Sequence, residues 1–499
     1  DQAINIVKNL QTNSKIPMLI PANLEKGGLT DEGTTIGSEM QVAATDNDEI
    51  AYKLAKVCGR EGDAVGVNWS FSPIIDIDYN FMNPITNTRT FGSDPNRVKR
   101  MGLAYIKGVQ ECGLAACIKH YPGDGVDPRD QHLVANVNTF SCEEWDKTFG
   151  DVYKSCIDAG AMTVMVGHIM LPSYSKKFSP GIQDSEILPA SLSYEITTKL
   201  LKEKLGFQGL VVTDATTMAG MTIPMSREKA VPTTIEIGCD MFLFTRNYDE
   251  DYEYMKQGLK NGILTKERLD QAVIKILALK AALKLHIKKK ENTLIPSMES
   301  AKSVIGCNEH QTWAKECADQ SVTLVKEEKG VLPISPKKYK KVLFYDIEAS
   351  EGFAYSVKVG VCDDFKERLI KEGFKVDKFT PKPGFEGLFT PFKEVVDNYD
   401  LIIYLANYAT KSNQTTVRIE WAQPMGANVP IYMEQVPTIF ISVENPYHLF
   451  DVPRIKTFIN AYHSSDAVLD AIIDKLMGRS EFKGKSPIDP FCGLWDARL

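Results

Sequence analysis

Asp130 and His132 stand two residues apart in a loop, the densest concentration of chemistry in this sequence. A carboxylate at that spacing can accept a hydrogen bond from one ring nitrogen and leave the other to pass on a proton. It favours the imidazolium and fixes the tautomer, so a group that titrates near neutrality gains proton affinity. The same spacing also fits an Asx-turn beside a surface histidine. Just upstream, the apolar run 114–118 ends in Lys119-His120 and opens into Pro122-Gly123-Asp124-Gly125. Paired donors at a strand end suit the hydroxyls of a neutral ligand, although Lys119 could also ion-pair with a barrel carboxylate. Asp214 ends a second apolar strand, 209–213, where it either caps the next turn or presents a nucleophile. His168 ends a third strand and is expected to orient the Asp-His loop. Arg129 is a further cation within that loop.

The elements that must hold these groups alternate in type. Strands are expected at 17–22, 67–78, 114–118, 162–166, 209–213 and 241–244. Helices are expected at 47–62, 94–113, 145–159, 193–206, 229–237 and 264–285. Asp94-Pro95 supplies an N-cap with proline at the first helical position, and Gly113 and Gly206 close two helices. Strand–helix alternation predicts a parallel sheet with helices outside, and this many units favour a TIM-type (β/α) barrel over an open sheet. Charged strand ends opening into Gly-rich loops then lie on the face where such barrels keep their chemistry. The expected barrel covers 1–287, a linker 288–300, and a smaller α/β layered sandwich domain 301–499. In the last, strands at 341–346, 401–406 and 438–443 alternate with helices at 365–373 and 467–477.

The totals exclude several classes. With 499 residues, 43% apolar and 25% charged, the chain has no disorder signature. A net charge of -7 and a pI near 5.7 argue against nucleic acid as partner. No apolar run reaches membrane-spanning length, and residues 1–10 are not a signal peptide. Ten cysteines without a C-x-x-C pair read as free thiols in a reducing compartment, so the expected localisation is cytoplasmic. No Cys/His spacing supports zinc.

Taken in order, the motifs resemble the glycoside hydrolases of family 3, and most closely their β-N-acetylglucosaminidase branch. Lys119-His120, Pro122-Gly123-Asp124-Gly125 and Asp130-Gln131-His132 are similar to that branch's lysine-histidine strand end, Pro-Gly-x-Gly loop and Asp-x-His pair. Arg89-Thr90-Phe91-Gly92-Ser93-Asp94-Pro95 resembles the Arg-x-Phe-Gly-x-Asp-Pro segment, and 209–214 the nucleophile strand. Residues 321–324, Leu332-Pro333 and Asn445-Pro446-Tyr447 resemble markers of the second domain. The resemblance implies Asp214 as nucleophile, His132 backed by Asp130 as acid/base, and Lys119, His120, Arg89 and Asn23 as sugar contacts. It implies no metal or organic cofactor and a small carbohydrate as the partner.

There are departures. The family's Asp-Gln-Glu-Gly-Gly-Arg stretch reads Asn23-Leu24-Glu25-Lys26-Gly27-Gly28-Leu29 here, so the sugar-binding aspartate is Asn23 and the arginine is lost. Asp124 stands where many relatives have histidine. The chain is expected to begin after the family's first barrel strand. The implied activity is a retaining exo-β-N-acetylglucosaminidase working through a covalent glycosyl-Asp214 intermediate. A β-N-acetylglucosaminide or β-glucoside phosphorylase using the same residues is the alternative. A β-glucosidase and a non-catalytic sugar-binding protein remain behind it.

Overall fold

The computed structural model describes residues 1–348, 360–382, 384–410, 412–413, 418–422 and 426–499. The chain forms two compact units. The first comprises Asp1–Glu39 and Asn47–Gln311, the second Met40–Asp46 and Thr312–Leu499. The segment 288–300 groups with the first unit and holds the end of a helix at Leu285–Lys290 and the start of one at Met298–Val304.

The first unit contains β1 (Pro21–Ala22), β2 (Trp69–Ser70), β3 (Ala115–Tyr121), β4 (Asn136–Val137), β5 (Thr163–Val166), β6 (Ile169–Met170), β7 (Leu210–Ala215) and β8 (Met241–Leu243). Six of these make one curled, all-parallel sheet in the order β1-β2-β3-β5-β7-β8. The fold is the expected TIM-type barrel, with helices between successive strands. β4 and β6 pair separately in the loops above it. The barrel interior is filled by Trp69, Phe71, Cys117, Met165, Leu210 and Val212, packed against Leu279 of the helix Lys266–Ala282 and Leu283 just beyond it.

The helix Pro95–Glu111 begins as its sequence predicts, with Asp94 accepting from the Asn96 amide and proline in the first turn. Two expectations change. The segment expected as a strand over 67–78 pairs regularly only at Trp69–Ser70. Pro73 has no amide proton to donate, and the chain beyond it runs extended along β3, touching it through Ile74 and Lys119. The helix expected over 264–285 stops at Ala282, and its apolar Val273 and Leu277 face solvent, each 45% exposed.

The second unit adds β9 (Thr323–Lys326), β10 (Lys341–Glu348), β11 (Lys375–Lys378), β12 (Leu401–Asn407), β13 (Thr438–Ser442) and β14 (Thr457–Asn460). Their order is β11-β10-β12-β13-β14-β9, parallel except for the edge pair β14–β9. Apolar clusters cover both faces of this sheet, so its strands read as continuous hydrophobic runs. No helix among the described residues is long and apolar enough to cross a membrane.

Candidate active site

Five segments that leave the C-terminal ends of parallel strands converge. They carry Asn23 and Glu25 after β1, Asp76 after β2, Lys119 and His120 at the end of β3, His168 after β5, and Asp214 at the end of β7. A parallel sheet points all these ends to one face, which is why residues far apart in sequence meet.

Lys119 is buried, with 2% of its side chain exposed, and its Nζ donates to Glu25 Oε1 at 2.9 Å and Asn23 Oδ1 at 3.1 Å. Arg89 forks onto the same Glu25, Nη2 to Oε1 at 2.8 Å and Nε to Oε2 at 3.0 Å. Burial opposes the Glu25 charge, but the two cations outweigh it and hold the carboxyl well below its ordinary range. Burial likewise opposes the Arg89 charge, and Glu25, Asp214 and Asp76 overcome it to keep the guanidinium firmly protonated. Both donors expected at a sugar are therefore oriented by one carboxylate. Glu39, buried nearby, accepts the Ile74 amide, and burial with the Glu25 charge pushes its carboxyl well up.

His120 sits between two carboxylates. Its Nδ1 lies 2.7 Å from Asp76 Oδ2, and its Nε2 lies 3.8 Å from Asp214 Oδ2. Burial would raise the Asp214 carboxyl. The rings of His120, His168 and His132, with the Ala215 amide, bring it below its ordinary value instead. A carboxylate held ionised beside imidazoles is a competent nucleophile.

Asp130 and His132 meet as their spacing predicts. Nδ1 lies 2.6 Å from Asp130 Oδ1, which also accepts the His132 amide at 2.8 Å. Asp130 is buried and the ring is about a quarter exposed at 27%, so Nε2 is left for a ligand. The loop is pinned from several sides. The His132 carbonyl accepts the Ala219 amide beyond β7 at 3.0 Å. Gln131 Oε1 accepts the His168 amide at 2.8 Å. The His168 ring donates from Nε2 to the Ala215 carbonyl at 3.0 Å, and Ser191 meets its Nδ1 at 2.8 Å. Burial lowers its proton affinity against the opposing pull of the Asp214 charge, and the ring braces the loop through these two contacts.

Asp124 fills a buried junction beneath the loop. Oδ1 accepts from Asn83, Asn136 and the Gly125 amide at 2.8, 3.0 and 2.7 Å. Burial and then the Asp76 charge push its carboxyl well up. Gly125, at φ 109°, lies against the Ile77 carbonyl, where a Cβ would come within 1.9 Å of the oxygen. Arg129 forks onto Asp127, Nε to Oδ1 at 2.9 Å and Nη2 to Oδ2 at 2.6 Å. It is a loop-internal pair rather than a spare cation.

Sequence reasoning named Asn23, Arg89, Lys119, His120, Asp130, His132 and Asp214, and all lie at this face. It gave no role to Glu25 or Asp76, which orient three of them. Both were visible as acids at strand ends, yet their partners lie 94, 64 and 44 residues away in sequence.

A curled parallel sheet with this acid, imidazole and cation set at its C-terminal face defines a sugar-cleaving barrel. The profile described as Glycosyl hydrolase family 3 N terminal domain matches residues 1–279, and the chain belongs to that family and is a glycosidase. A relative described as a beta-N-acetylglucosaminidase/beta-glucosidase from Cellulomonas fimi is 51% identical over 496 residues, covering 99% of this chain and 87% of its own. Among solved structures, the beta-glucoside phosphorylase BglX is 46% identical with a TM-score of 0.94, covering 100% of this chain and 89% of its own. A family 3 beta-N-acetylglucosaminidase from Paenibacillus sp. str. FPU-7 shares the fold at 22% identity and a TM-score of 0.82, over 99% of this chain and 91% of its own.

Proposed function

We propose that this glycosidase is a retaining, exo-acting β-N-acetylglucosaminidase. Asp214 attacks the anomeric carbon while the bond to the aglycone oxygen breaks, and His132 Nε2 gives that oxygen its proton. In the second step His132, now neutral, takes a proton from water, water attacks the same carbon, and Asp214 leaves. Two inversions restore the β configuration. Lys119, His120, Arg89 and Asn23 hold the sugar hydroxyls. The observation carrying this reading is the pairing of an ionised strand-end carboxylate, Asp214, with a carboxylate-backed imidazole, His132, within electrostatic reach of each other. The 51% identical relative supports the choice of sugar and adds β-glucosides as a second class. Free thiols at Cys58, Cys112, Cys117, Cys142, Cys156, Cys239, Cys307, Cys317 and Cys362 support a reducing compartment, the cytoplasm.

Phosphorolysis is the second reading, favoured by the 46% identity to a β-glucoside phosphorylase. After the first step the base is a neutral imidazole rather than an anionic carboxylate, so an incoming phosphate meets less repulsion. One experiment separates the two. p-Nitrophenyl β-N-acetylglucosaminide and the β-glucoside are turned over with and without millimolar phosphate, and products are followed by NMR. Free β-N-acetylglucosamine as the first product in both conditions is expected. A sugar 1-phosphate as main product transfers the assignment to phosphorolysis, and a first-formed α sugar overturns the retaining mechanism.

A further inference from the structure

Asp76 has no part in the chemistry just described, yet it is fully buried and makes three short contacts at the centre of the site. Oδ1 accepts the backbone amides of His120 and Asp124 at 3.0 and 2.8 Å, and Oδ2 meets His120 Nδ1 at 2.7 Å. The far side of the same ring faces Asp214 at 3.8 Å. The ring thus lies between two carboxylates, hydrogen-bonded to Asp76 and facing Asp214 across a longer gap. We propose that Asp76 is a positioning residue that acts through His120 on the Asp214 carboxylate as leaving group of the second step. This rests on reading Asp214 as the nucleophile.

The chemistry is asymmetric. In the first step Asp214 gives an electron pair to the anomeric carbon, and a stabilised carboxylate is the weaker nucleophile. In the second step the bond between that carbon and Asp214 breaks, the pair returns to the carboxylate, and stabilisation helps. Other groups reach Asp214: Arg89 and the rings of His132 and His168 from neighbouring loops, and the Cys117 thiol, held neutral by burial at about 12. Asp124 faces Asp76 itself. The His120 ring, backed by Asp76, reaches Asp214 directly, with Nε2 3.8 Å from Oδ2.

Asp76→Asn keeps the shape and removes the charge. Its amide can donate to Nδ1 while its carbonyl oxygen still accepts the backbone amides of His120 and Asp124. On an activated aryl β-glycoside, kcat is expected to fall ~10-fold with KM falling alongside, leaving kcat/KM nearly constant. The glycosyl-enzyme accumulates, seen as a pre-steady-state burst. The acid limb of kcat/KM moves to higher pH, because the ring that faces Asp214 loses the carboxylate behind it. In a His120→Gln background the same substitution moves neither. A proportional fall of kcat and kcat/KM, with the acid limb unmoved, shows a merely structural Asp76 and overturns the proposal. The wild-type protein gives a check that does not need the variant to fold. In ¹⁵N-histidine spectra, with His120 identified by its loss in His120→Gln, Nδ1 carries a proton at neutral pH, and an unprotonated Nδ1 overturns the proposal. Labelling with a 2-deoxy-2-fluoro-β-glycoside and peptide mapping keeps the two readings apart. No adduct on Asp214 in the wild type removes the parent mechanism, whereas an adduct there with unmoved Asp76→Asn kinetics removes this inference alone.

Discussion

The two units each centre on a six-stranded sheet, but one stacks rings where the other gathers charges. In the second unit a single register row across β10, β12, β13 and β14 holds Tyr345, Tyr404, Phe440 and Phe458, with neighbouring centroids 4.3, 5.6 and 5.5 Å apart. In the first unit the strand ends hold Glu25, Asp76, Lys119, His120 and Asp214. Rings gain from burial at every step across the row. Buried charges are tolerated only when each finds a partner, and a site full of them is held together by its pairs. The histidines repeat the contrast. Among the described residues only Ser442 lies at hydrogen-bonding distance of the His448 ring, 2.9 Å away, and burial drives it down to about 3. His120 and His132 each have a carboxylate at Nδ1. Parallel architecture alone makes no active site.

That contrast breaks most visibly at Asp214. Asp214→Ala is expected to lower turnover ~10⁴-fold or more, since no covalent intermediate can form. Azide with an activated aryl glycoside should then restore cleavage and give the glycosyl azide of inverted configuration. Near wild-type turnover without azide removes Asp214 as nucleophile.

Asp130→Asn comes next, at ~10²-fold or more, because the His132 ring loses its tautomer and its basicity. The loss shrinks as the leaving group becomes more acidic and needs less protonation. Equal losses across a series of aryl leaving groups count against His132 as the acid.

Glu25→Gln tests whether the charged site depends on its pairs. It leaves Lys119 and Arg89 facing a neutral amide and should destabilise the first unit by about 2 kcal/mol, reduced from a fully buried pair by the partial exposure of Arg89. The readout is hydrogen-exchange protection of β3 and β7 amides. The sign with pH follows from the depressed carboxyl. The stabilisation is complete above the unfolded value of about 4.3 and is lost as pH falls through the lower folded value.

The second unit should respond earlier and more gently. His448 is neutral when folded, so its stabilisation is complete above the ordinary value of 6.5 and declines as pH falls towards about 3. The limiting slope is ~1.4 kcal/mol per pH unit. Exchange protection of β13 and β14 amides between pH 7 and 5, corrected for the intrinsic rate, reads it. His448→Asn, which keeps a donor for Ser442, should flatten the slope, and an unchanged slope assigns the sensitivity to another group.

Much of this was legible in the sequence. The barrel followed from alternation, because 114–118 and 209–213 are apolar runs with turn signals on either side and charges at their ends. The Asp130–His132 contact was legible because two residues of separation fix it locally. Asp76–His120 was not, since it joins the ends of β2 and β3 across a whole helical crossover. Pro73 further hid the element, making an extended segment look like a long strand. Lys119 was read with both outcomes open, and the ion-pair partner is Glu25.

The Asp124 junction bears on how this catalyst could be changed. The loop carrying Asp130 and His132 takes its shape from amide side chains that reach one acid from three places, Asn83, Gln131 and Asn136, the last also donating to the Arg129 carbonyl at 2.7 Å. Two of the three travel with the loop, and Asn83 does not. Transplanting residues 122–137 into another barrel would carry the proton-transfer pair but leave its foundation behind. The unit of inheritance, for a protein engineer as for natural recombination, is the loop together with 76–92.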